Sequence, residues 1–344
     1  MAKEDGVVKR VRNRKGKNAK MASVPTKLSK APKATRLNQL DYDPNIFKTM
    51  KTGNVVDTFF SNKGGIPKAC NFIVVGDPGV GKTTVCLDML ADVSLSGTGK
   101  AKPKVLFISA EMNEIDLYEY LERYPKFGDL DILFLADYTE ENPKLVIEEM
   151  LKSGYDLVLG DSFVEIQETI KEECYMTTSQ SEKWLIDLMC QHNKGNNAAN
   201  AYTTFLMIQQ MTKGGVFVGS NKLKHNTTGM LEIRFSTDGN INSPRFIEFS
   251  KNRRGNVLKR LYFDMSAKDN VHYNAKKWEM DIVNEQRLKD ELDELVKEES
   301  AFDQLIAEAR AASEETDKDA DDIAQEVIDA ATADIEKNEA RIID

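Results

Sequence analysis

The chain has 344 residues and a net charge of −9, and its 41% hydrophobic and 30% charged residues indicate one well-packed core with polar extensions. Because no apolar run approaches about 18 residues and the N-terminus lacks an apolar signal core, we expect a cytoplasmic protein (host-cell cytoplasm if virus-encoded) without a membrane span. Its four cysteines form no C-x-x-C pair, which argues against a disulfide framework or a zinc ribbon.

The first segment is strongly basic. Residues 1–40 hold 12 lysines and arginines but 2 acidic residues. Blocks of like charge are interaction segments more often than folded ones, and we therefore predict a flexible basic arm over residues 1–54. The run at residues 9–15 is suited to phosphate backbones, and a solvated solubility tail is the alternative.

From about residue 55 the sequence alternates between apolar strands and amphipathic helices, which predicts an α/β domain over residues 55–268 with a central, mostly parallel sheet flanked by helices. We expect Leu145, Ile147 and Leu151 to face the core and Ser181 to cap a helix. The predicted strands are 71–75, 105–109, 131–136, 157–159, 205–208, 229–235, 245–250 and 258–265, of which the last three extend the sheet as hairpins. The predicted helices are 84–95, 114–123, 143–152 and 181–192.

A glycine-rich turn joins the first of these strands to the first helix, and it fits G-x-x-x-x-G-K-[ST], the phosphate-binding loop of nucleoside triphosphatases. Several backbone N–H groups and the positive end of a helix point at one spot in such a turn, which predicts polyphosphate binding. Lys82 would reach the β and γ phosphates and Thr83 would hold Mg²⁺, so the expected cofactors are ATP and Mg²⁺. The predicted binding residues are Gly76, Asp77, Pro78, Gly79, Val80, Gly81, Lys82, Thr83 and Thr84.

Two carboxylates follow later apolar strands. Glu111 follows V-L-F-I-S-A, and Asp161 ends L-V-L-G-D. In open parallel sheets the chemistry lies at the carboxyl ends of neighbouring strands. We therefore predict that Asp161 binds Mg²⁺ and that Glu111 polarises the attacking water, although an acid at a helix N-terminus is the alternative for Glu111.

An amide and a long basic loop follow the strand F-L-M-I. Gln210 is predicted to sense the γ-phosphate and relay its loss to residues 211–225, with Gln209 as a competitor. This loop is rich in glycine, and such loops are often functional. Its predicted contacts with single-stranded nucleic acid are Lys213, Phe217, Lys222 and Lys224, and a contact between subunits is the alternative.

A basic turn, K-N-R-R-G at residues 251–255, lies between two predicted strands. Two or three cations on such a turn can act as fingers on the nucleotide of a neighbouring subunit. A solvated basic hairpin is the alternative.

The last segment is acidic. Residues 276–344 hold 9 basic and 23 acidic residues, and apolar residues recur at helical spacing over 279–311. We predict an acidic helical extension over residues 269–344 that packs on the core or on a neighbouring subunit, or that binds a protein partner.

Together these motifs resemble those of the RecA-like ATPase superfamily, in particular the RadA-type DNA repair and recombination ATPases and the DnaB-type replicative helicases. The resemblance covers roughly residues 55–266 and includes G-D-P-G-V-G-K-T-T, V-L-F-I-S-A-E-M, L-V-L-G-D-S, the loop after Gln210, and K-N-R-R-G. It implies a RecA-like core in which Glu111 activates water and Asp161 binds Mg²⁺.

The resemblance also implies that Lys251 and Arg253 reach the ATP of a neighbouring subunit in a ring or filament. RadA proteins have His at the γ-phosphate-sensing position, whereas this chain has Gln210, as RecA and DnaB do. We therefore expect an oligomeric, ATP-dependent ATPase that acts on single-stranded DNA in recombination, repair or replication as a motor, branch-migration or helicase enzyme. The alternatives are a strand-exchange recombinase and a KaiC-like regulatory or assembly ATPase that acts on protein.

Overall fold

The computed structural model describes residues 34–99, 102–138, 140–210, 226–237, 240–265 and 268–316. The chain divides into two compact units, residues 1–43 and 44–344. The described part of the first unit contains one short 3-10 turn, at Leu37–Gln39. The second unit contains the strands, the α-helices and the candidate site.

Eleven strands are found among the described residues, and nine of them form one sheet. Numbered β1 to β11 in chain order, they are Thr49–Met50, Ile66–Pro67, Asn71–Gly76, Val105–Ser109, Asp131–Phe134, Leu157–Asp161, Thr204–Ile208, Gly229–Phe235, Arg245–Asn252, Arg260–Asp264 and His272–Tyr273. The large sheet has the order β11-β10-β9-β8-β3-β7-β6-β4-β5, and β1 pairs with β2 separately. From β8 to β5 every pair is parallel, whereas β8 to β11 are joined by antiparallel pairs.

Seven α-helices are described, and they cover the sheet. Numbered α1 to α7, they are Val56–Phe60, Lys82–Leu95, Glu114–Arg123, Pro143–Lys152, Phe163–Glu173, Thr178–Asn193 and Ala275–Thr316. Further 3-10 turns lie at Pro44–Phe47, Pro125–Asp129 and Leu135–Tyr138. None of the helices in the described part of the chain combines the length and the apolar character needed to cross a membrane.

The burial of each strand explains its sequence. Every residue of β3, β4, β6 and β7 is buried, which is why these strands are continuous apolar runs. Strand β8 instead alternates between buried and half-buried residues, as expected where the sheet becomes antiparallel. Two apolar clusters result, one joining α1, α2 and the start of α7 to one face of the sheet, the other joining α4, α5 and α6 to the opposite face. The predicted α/β fold with a mostly parallel sheet flanked by helices is therefore confirmed.

Two details of the sequence prediction are wrong. Leu145 is 61% exposed, while Pro143, Ile147 and Leu151 are buried. The buried residues are spaced four apart and form one stripe along α4, and Leu145 lies on the opposite side of the helix. Ser181 does not cap α6, because that helix starts one turn earlier, at Thr178. The Thr177 hydroxyl is the cap, and it accepts a hydrogen bond from the backbone N–H of Gln180. Ser181 itself is buried, and its hydroxyl donates a hydrogen bond to the carbonyl oxygen of Thr178.

Candidate functional site

The turn between β3 and α2 has the geometry of a phosphate-binding loop. Gly79 and Gly81 adopt φ values of 74° and 98°, the left-handed region that glycine enters at little cost. Beyond Gly81 the helix begins at Lys82, whose Nζ donates to the carbonyl oxygens of Gly76 at 3.0 Å and Asp77 at 3.1 Å. The ammonium group thus lies inside the turn that the predicted phosphates would occupy.

The next parallel strands bring the other predicted groups to this turn. In the sheet, β3 is followed by β7, β6 and β4, whose carboxyl ends lead to Gln210, Asp161 and Glu111. The hydroxyl of Thr83 donates to Oδ2 of Asp161 at 2.5 Å. Farther along the same edge, Nε2 of Gln210 donates to Oε1 of Glu111 at 3.0 Å. Four separate segments therefore meet at one edge of the sheet.

Burial changes the ionisation of this edge. Desolvation, opposed by the Thr83 hydroxyl and supported by the charge of Glu111, raises the pKa of Asp161 to about 6. Desolvation also lowers the pKa of Lys82, although the charges of Asp161 and Glu111 oppose the change. The Asp161 carboxylate and the Lys82 ammonium group interact electrostatically in a partly desolvated cleft. Such a pair is suited to a ligand that combines an anion with a bound cation.

The donor set fits Mg²⁺ bound with a nucleotide. The Thr83 hydroxyl and the Asp161 carboxylate supply hard oxygen ligands, which Mg²⁺ prefers. In the described ranges no group of three or more His, Cys, Asp or Glu side chains could hold a metal ion. Mg²⁺ is usually held by one or two protein groups together with phosphate oxygens and water.

A cleft of about 780 Å³ opens over the loop and extends well beyond the phosphate end. Its far side includes residues that the sequence interpretation missed, namely Tyr120, Arg123, Arg245, Asp264 and Met265. Arg123 of α3 donates to the backbone carbonyl of Met265, which ties the two walls together. Nε of Arg245 is buried and has no hydrogen-bond partner among the residues the structure describes. No local sequence pattern marks these residues, because they come from distant segments of the chain.

Lys251 and Arg253 lie away from this cleft. Lys251 is paired with Met230, and Met230 is level with Ile73, three residues before the end of β3. The Arg253 backbone N–H donates to Thr228, farther still from the loop. At about 3.3 Å per residue, the backbones of Lys251 and Arg253 lie about 10 and 16 Å along the strands from the level of Gly76. The structure thus does not bring them to the phosphate loop of their own chain.

The environment of this basic turn is partly desolvated. Burial, and then the neighbouring charge of Arg253, lower the pKa of Lys251. The side chain of Asn252 donates to the carbonyl of Phe60 at 3.0 Å, which holds the turn against α1. The predicted nucleic-acid contacts Lys213, Phe217, Lys222 and Lys224 all lie outside the described residues.

No protein-family model matches the chain. In sequence, the chain is 27% identical over 204 residues to the DNA repair protein RadA of Streptococcus pneumoniae, covering 59% of this chain and 44% of that protein. It is 24% identical over 208 residues to the DNA repair protein RadA of Campylobacter jejuni, covering 60% and 42%. These relatives confirm the resemblance to the RecA-like superfamily, although the chain spans less than half of their length.

Two solved structures are also similar. One is a KaiC-like protein from Pyrococcus horikoshii, with 17% identity, a TM-score of 0.47 and coverage of 66% of this chain and 99% of the other. The other is the flagellar accessory protein FlaH from Methanocaldococcus jannaschii, with 12% identity, a TM-score of 0.48 and the same coverage.

Proposed function

We propose that this protein is a Mg²⁺-dependent ATPase of the RecA-like type that assembles into a ring or filament on single-stranded DNA. Its nucleotide would occupy the cleft over Lys82 and Thr83. The observation that carries the proposal is the meeting of Lys82, Asp161, Glu111 and Gln210 at the ends of four adjoining strands. Phosphoryl transfer needs a phosphate cradle, a carboxylate near the metal and a group that positions water, and this edge offers all three.

The side chains have distinct parts in this mechanism. Lys82 exchanges its two backbone carbonyl partners for phosphate oxygens, since an ammonium group binds anions more strongly than neutral carbonyls. Glu111 accepts a proton from the attacking water, and its bond to Gln210 fixes the carboxylate in position. Thr83 and Asp161 would hold Mg²⁺, which would offset the negative charge that develops on the phosphate oxygens.

The far side of the cleft would take the nucleoside. Tyr120 and Met265 offer aromatic and thioether surface for a base, whereas Arg123, Arg245 and Asp264 offer polar groups for the base edge or the ribose. A cleft of about 780 Å³ is large enough for a whole nucleoside triphosphate, since ligand sites usually measure roughly 300–1,000 Å³.

The charge that develops on the leaving phosphates needs further cations, and we propose that a neighbouring copy supplies them. Lys251 and Arg253 point to this arrangement because they lie about 10 and 16 Å from Gly76 along the strands of their own chain. If copies stack with the amino end of one sheet facing the cleft of the next, these residues act as fingers in trans.

Action on single-stranded DNA is supported by the relatives named DNA repair protein RadA. We propose that loss of the γ-phosphate at Gln210 changes the loop at residues 211–225, which carries Lys213, Lys222 and Lys224. Such coupling would drive translocation or branch migration, and strand exchange is the alternative outcome. Unwinding and branch-migration assays would detect the first activity, and a strand-exchange assay would detect the second.

ATP turnover tests the nucleotide site directly. We expect Lys82→Ala to lower Mg²⁺-dependent turnover by about 100-fold or more, because it removes a cation from the transferring phosphate. Lys102→Ala is the matched control, since that exposed lysine lies outside the cleft. Normal turnover in the Lys82 variant would reject the assignment of the loop.

Binding of labelled oligothymidylate at several salt concentrations tests the DNA assignment. Each phosphate contact contributes a slope of about −0.7 to the logarithm of affinity against the logarithm of salt. Replacing Lys213, Lys222 and Lys224 together by alanine should therefore flatten the slope by about 2. A slope near zero in the unmodified protein would contradict DNA binding and favour an ATPase that acts on protein, as the acidic C-terminal segment would suit.

A further inference from the structure

Helix α7 is fixed to the core at its base. The indole of Trp278 is buried, donates from Nε1 to the Thr58 hydroxyl at 2.9 Å, and packs against Phe59 with the ring centroids 5.6 Å apart. About two turns later, Glu285 forms an ion pair with Lys259, the residue before β10. These contacts set the direction of the helix and the face that each later residue presents.

Beyond this base, the described side chains of α7 leave the core. From residue 283 to residue 308 all of them are exposed except that of Ile306, which is half-buried. At a rise of about 1.5 Å per residue, this projecting segment is roughly 38 Å long. Isolated helices of ordinary composition are marginal in water, so a helix of this length normally owes its stability to a packing partner.

The projecting segment carries an apolar stripe. Its residues recur at intervals of four, three, seven and four, which places all of them at the seam positions of a coiled coil and within about 80° of the helix circumference. Their exposure is between 40% and 60% for the first four residues of the stripe. The stripe consists of Leu288, Leu292, Leu295, Phe302 and Ile306. Exposed apolar surface that is this continuous marks an interaction site more often than a solvated face.

Acidic side chains flank the stripe. Residues 285–308 hold nine acidic and three basic residues. Glu291 and Glu298 border the stripe on one side and Asp303 borders it on the other, while Glu299 lies within it at a seam position. The surface is therefore an apolar seam between acidic borders.

These charges decide which occupant fits. In a parallel pair of α7 helices, Glu299 would face Glu299 of the second copy in the seam, and Glu298 would lie near Asp303. Like charges at such positions oppose pairing. An anionic lipid surface is repelled by the same acidic borders, because interfacial helices that bind such surfaces are rich in lysine and arginine.

We propose that the apolar stripe of α7 docks a basic amphipathic helix of a partner protein. The partner would place leucine-like residues in the seam, lysine or arginine opposite Glu291, Glu298 and Asp303, and a further cation opposite Glu299. Opposite charges at flanking positions select the partner, whereas the apolar seam provides most of the binding energy. The proposal does not depend on ATP turnover.

The test uses the full-length protein and a synthetic peptide of three heptads with leucine at the seam and lysine at the flanking positions. A second peptide with glutamate in place of lysine is its control. Fluorescence anisotropy should show saturable binding of the lysine peptide that weakens with salt, and at least about tenfold weaker binding of the glutamate peptide.

Variants of α7 identify the surface. Leu292→Gln combined with Leu295→Gln should weaken binding by about tenfold or more, because glutamine keeps the helix but removes apolar surface. Glu291→Lys combined with Glu298→Lys should do the same and should favour the glutamate peptide. Asp290→Lys combined with Glu308→Lys makes the same change in net charge on the opposite face and should leave the preference for the lysine peptide intact.

Three results would overturn the proposal. Equal binding of both peptides, or binding of neither, would remove the basic helix as the occupant. A dimer or larger assembly that Leu292→Gln with Leu295→Gln dissociates in light-scattering measurements would show that a second copy covers the stripe. Binding of the protein to vesicles with anionic lipid, lost in the same variant, would show that a membrane surface does.

Discussion

At the carboxyl ends of the parallel strands, Thr83 bonds to Asp161 at 2.5 Å and Gln210 bonds to Glu111 at 3.0 Å, beside the loop that carries Lys82. At the amino ends of the same sheet the basic turn at residues 251–255 packs against α1 through Asn252. We propose that the first end holds a triphosphate and activates water. The other end has two cations, Lys251 and Arg253, whose backbones lie about 10 and 16 Å from the level of Gly76 along the strands.

In the proposed mechanism, a single copy holds one part of the groups that hydrolysis requires. The proposed phosphate cradle, metal ligands and base lie within one chain, whereas the cations proposed to stabilise the transition state would come from a neighbouring copy. On this account oligomerisation and catalysis are one property, and each end of the sheet can be tested separately.

The largest effect should come from the amino end. We expect Arg253→Ala to reduce ATP turnover by about 10³-fold or more, the range measured for arginine fingers, while nucleotide affinity changes little. Arg254→Ala is the matched control because it removes the adjacent cation. An equal loss of ATP turnover in the Arg253 and Arg254 variants would mean that the turn acts only through its net charge. That result would contradict the role of Arg253 as a specific finger.

The carboxyl end should respond next. Glu111→Gln should keep nucleotide binding but lower turnover by about 10² to 10⁴-fold, since general base catalysis contributes that much. Single-turnover kinetics and nucleotide titration measure the two quantities apart. Glu114→Gln provides the control on the first turn of α3. If Glu111→Gln loses nucleotide affinity instead, Glu111 belongs to the binding cradle.

A third region, on the side of α2 that carries Asp88 and Asp92, should make the stability of the protein depend on pH. It belongs to neither end of the sheet. Lys126 bridges Asp88 and Asp92 at 2.6 Å each, and Asn54 donates to Asp92 at 2.9 Å. Burial, and then the charge of Asp88, raise the pKa of Asp92 to about 6 from its usual 3.8. The folded state therefore binds more protons than the unfolded state between about pH 4 and pH 6.

It follows that this carboxyl group contributes stability at low pH that is lost as the pH rises through about 6, with no further change above. Between pH 5 and pH 7.5, we expect the free energy of unfolding of the unmodified protein to fall by about 1–2 kcal/mol more than that of the Asp92→Asn variant, as measured by denaturant unfolding. Exposed Asp131→Asn should behave as the unmodified protein does. A parallel change in ATP turnover would contradict the separation of this region from the catalytic edge.

The sequence was sufficient to predict which residues meet beside the glycine-rich loop. Glu111, Asp161 and Gln210 each follow an apolar strand, and parallel strands end at one edge whatever their order. The order itself was not predictable, because β3 pairs with β7 and β8 across more than 130 residues rather than with the next strand along the chain. Arg123, Arg245 and Met265 were missed for the same reason.

Helical spacing predicted that α7 exists but not what it packs against. Trp278 and Leu292 belong to one helix with the same periodicity, yet the indole is buried and Leu292 is 59% exposed. The difference depends on where the core ends, which is a property of the whole fold. In α4 the same limit appears as the exposed Leu145, since an apolar residue in a helix does not have to face the core.

ATP turnover by a mixture of Arg253→Ala and Glu111→Gln subunits, combined before assembly, tests whether each site is shared between two copies. If the two ends act across a boundary between copies, about one quarter of the boundaries in an equimolar mixture pair an intact Glu111 with an intact Arg253, and turnover should recover to about one quarter of the unmodified level. If each site is complete within one chain, the mixture should be no faster than the average of the two inactive variants, and that result would contradict the account.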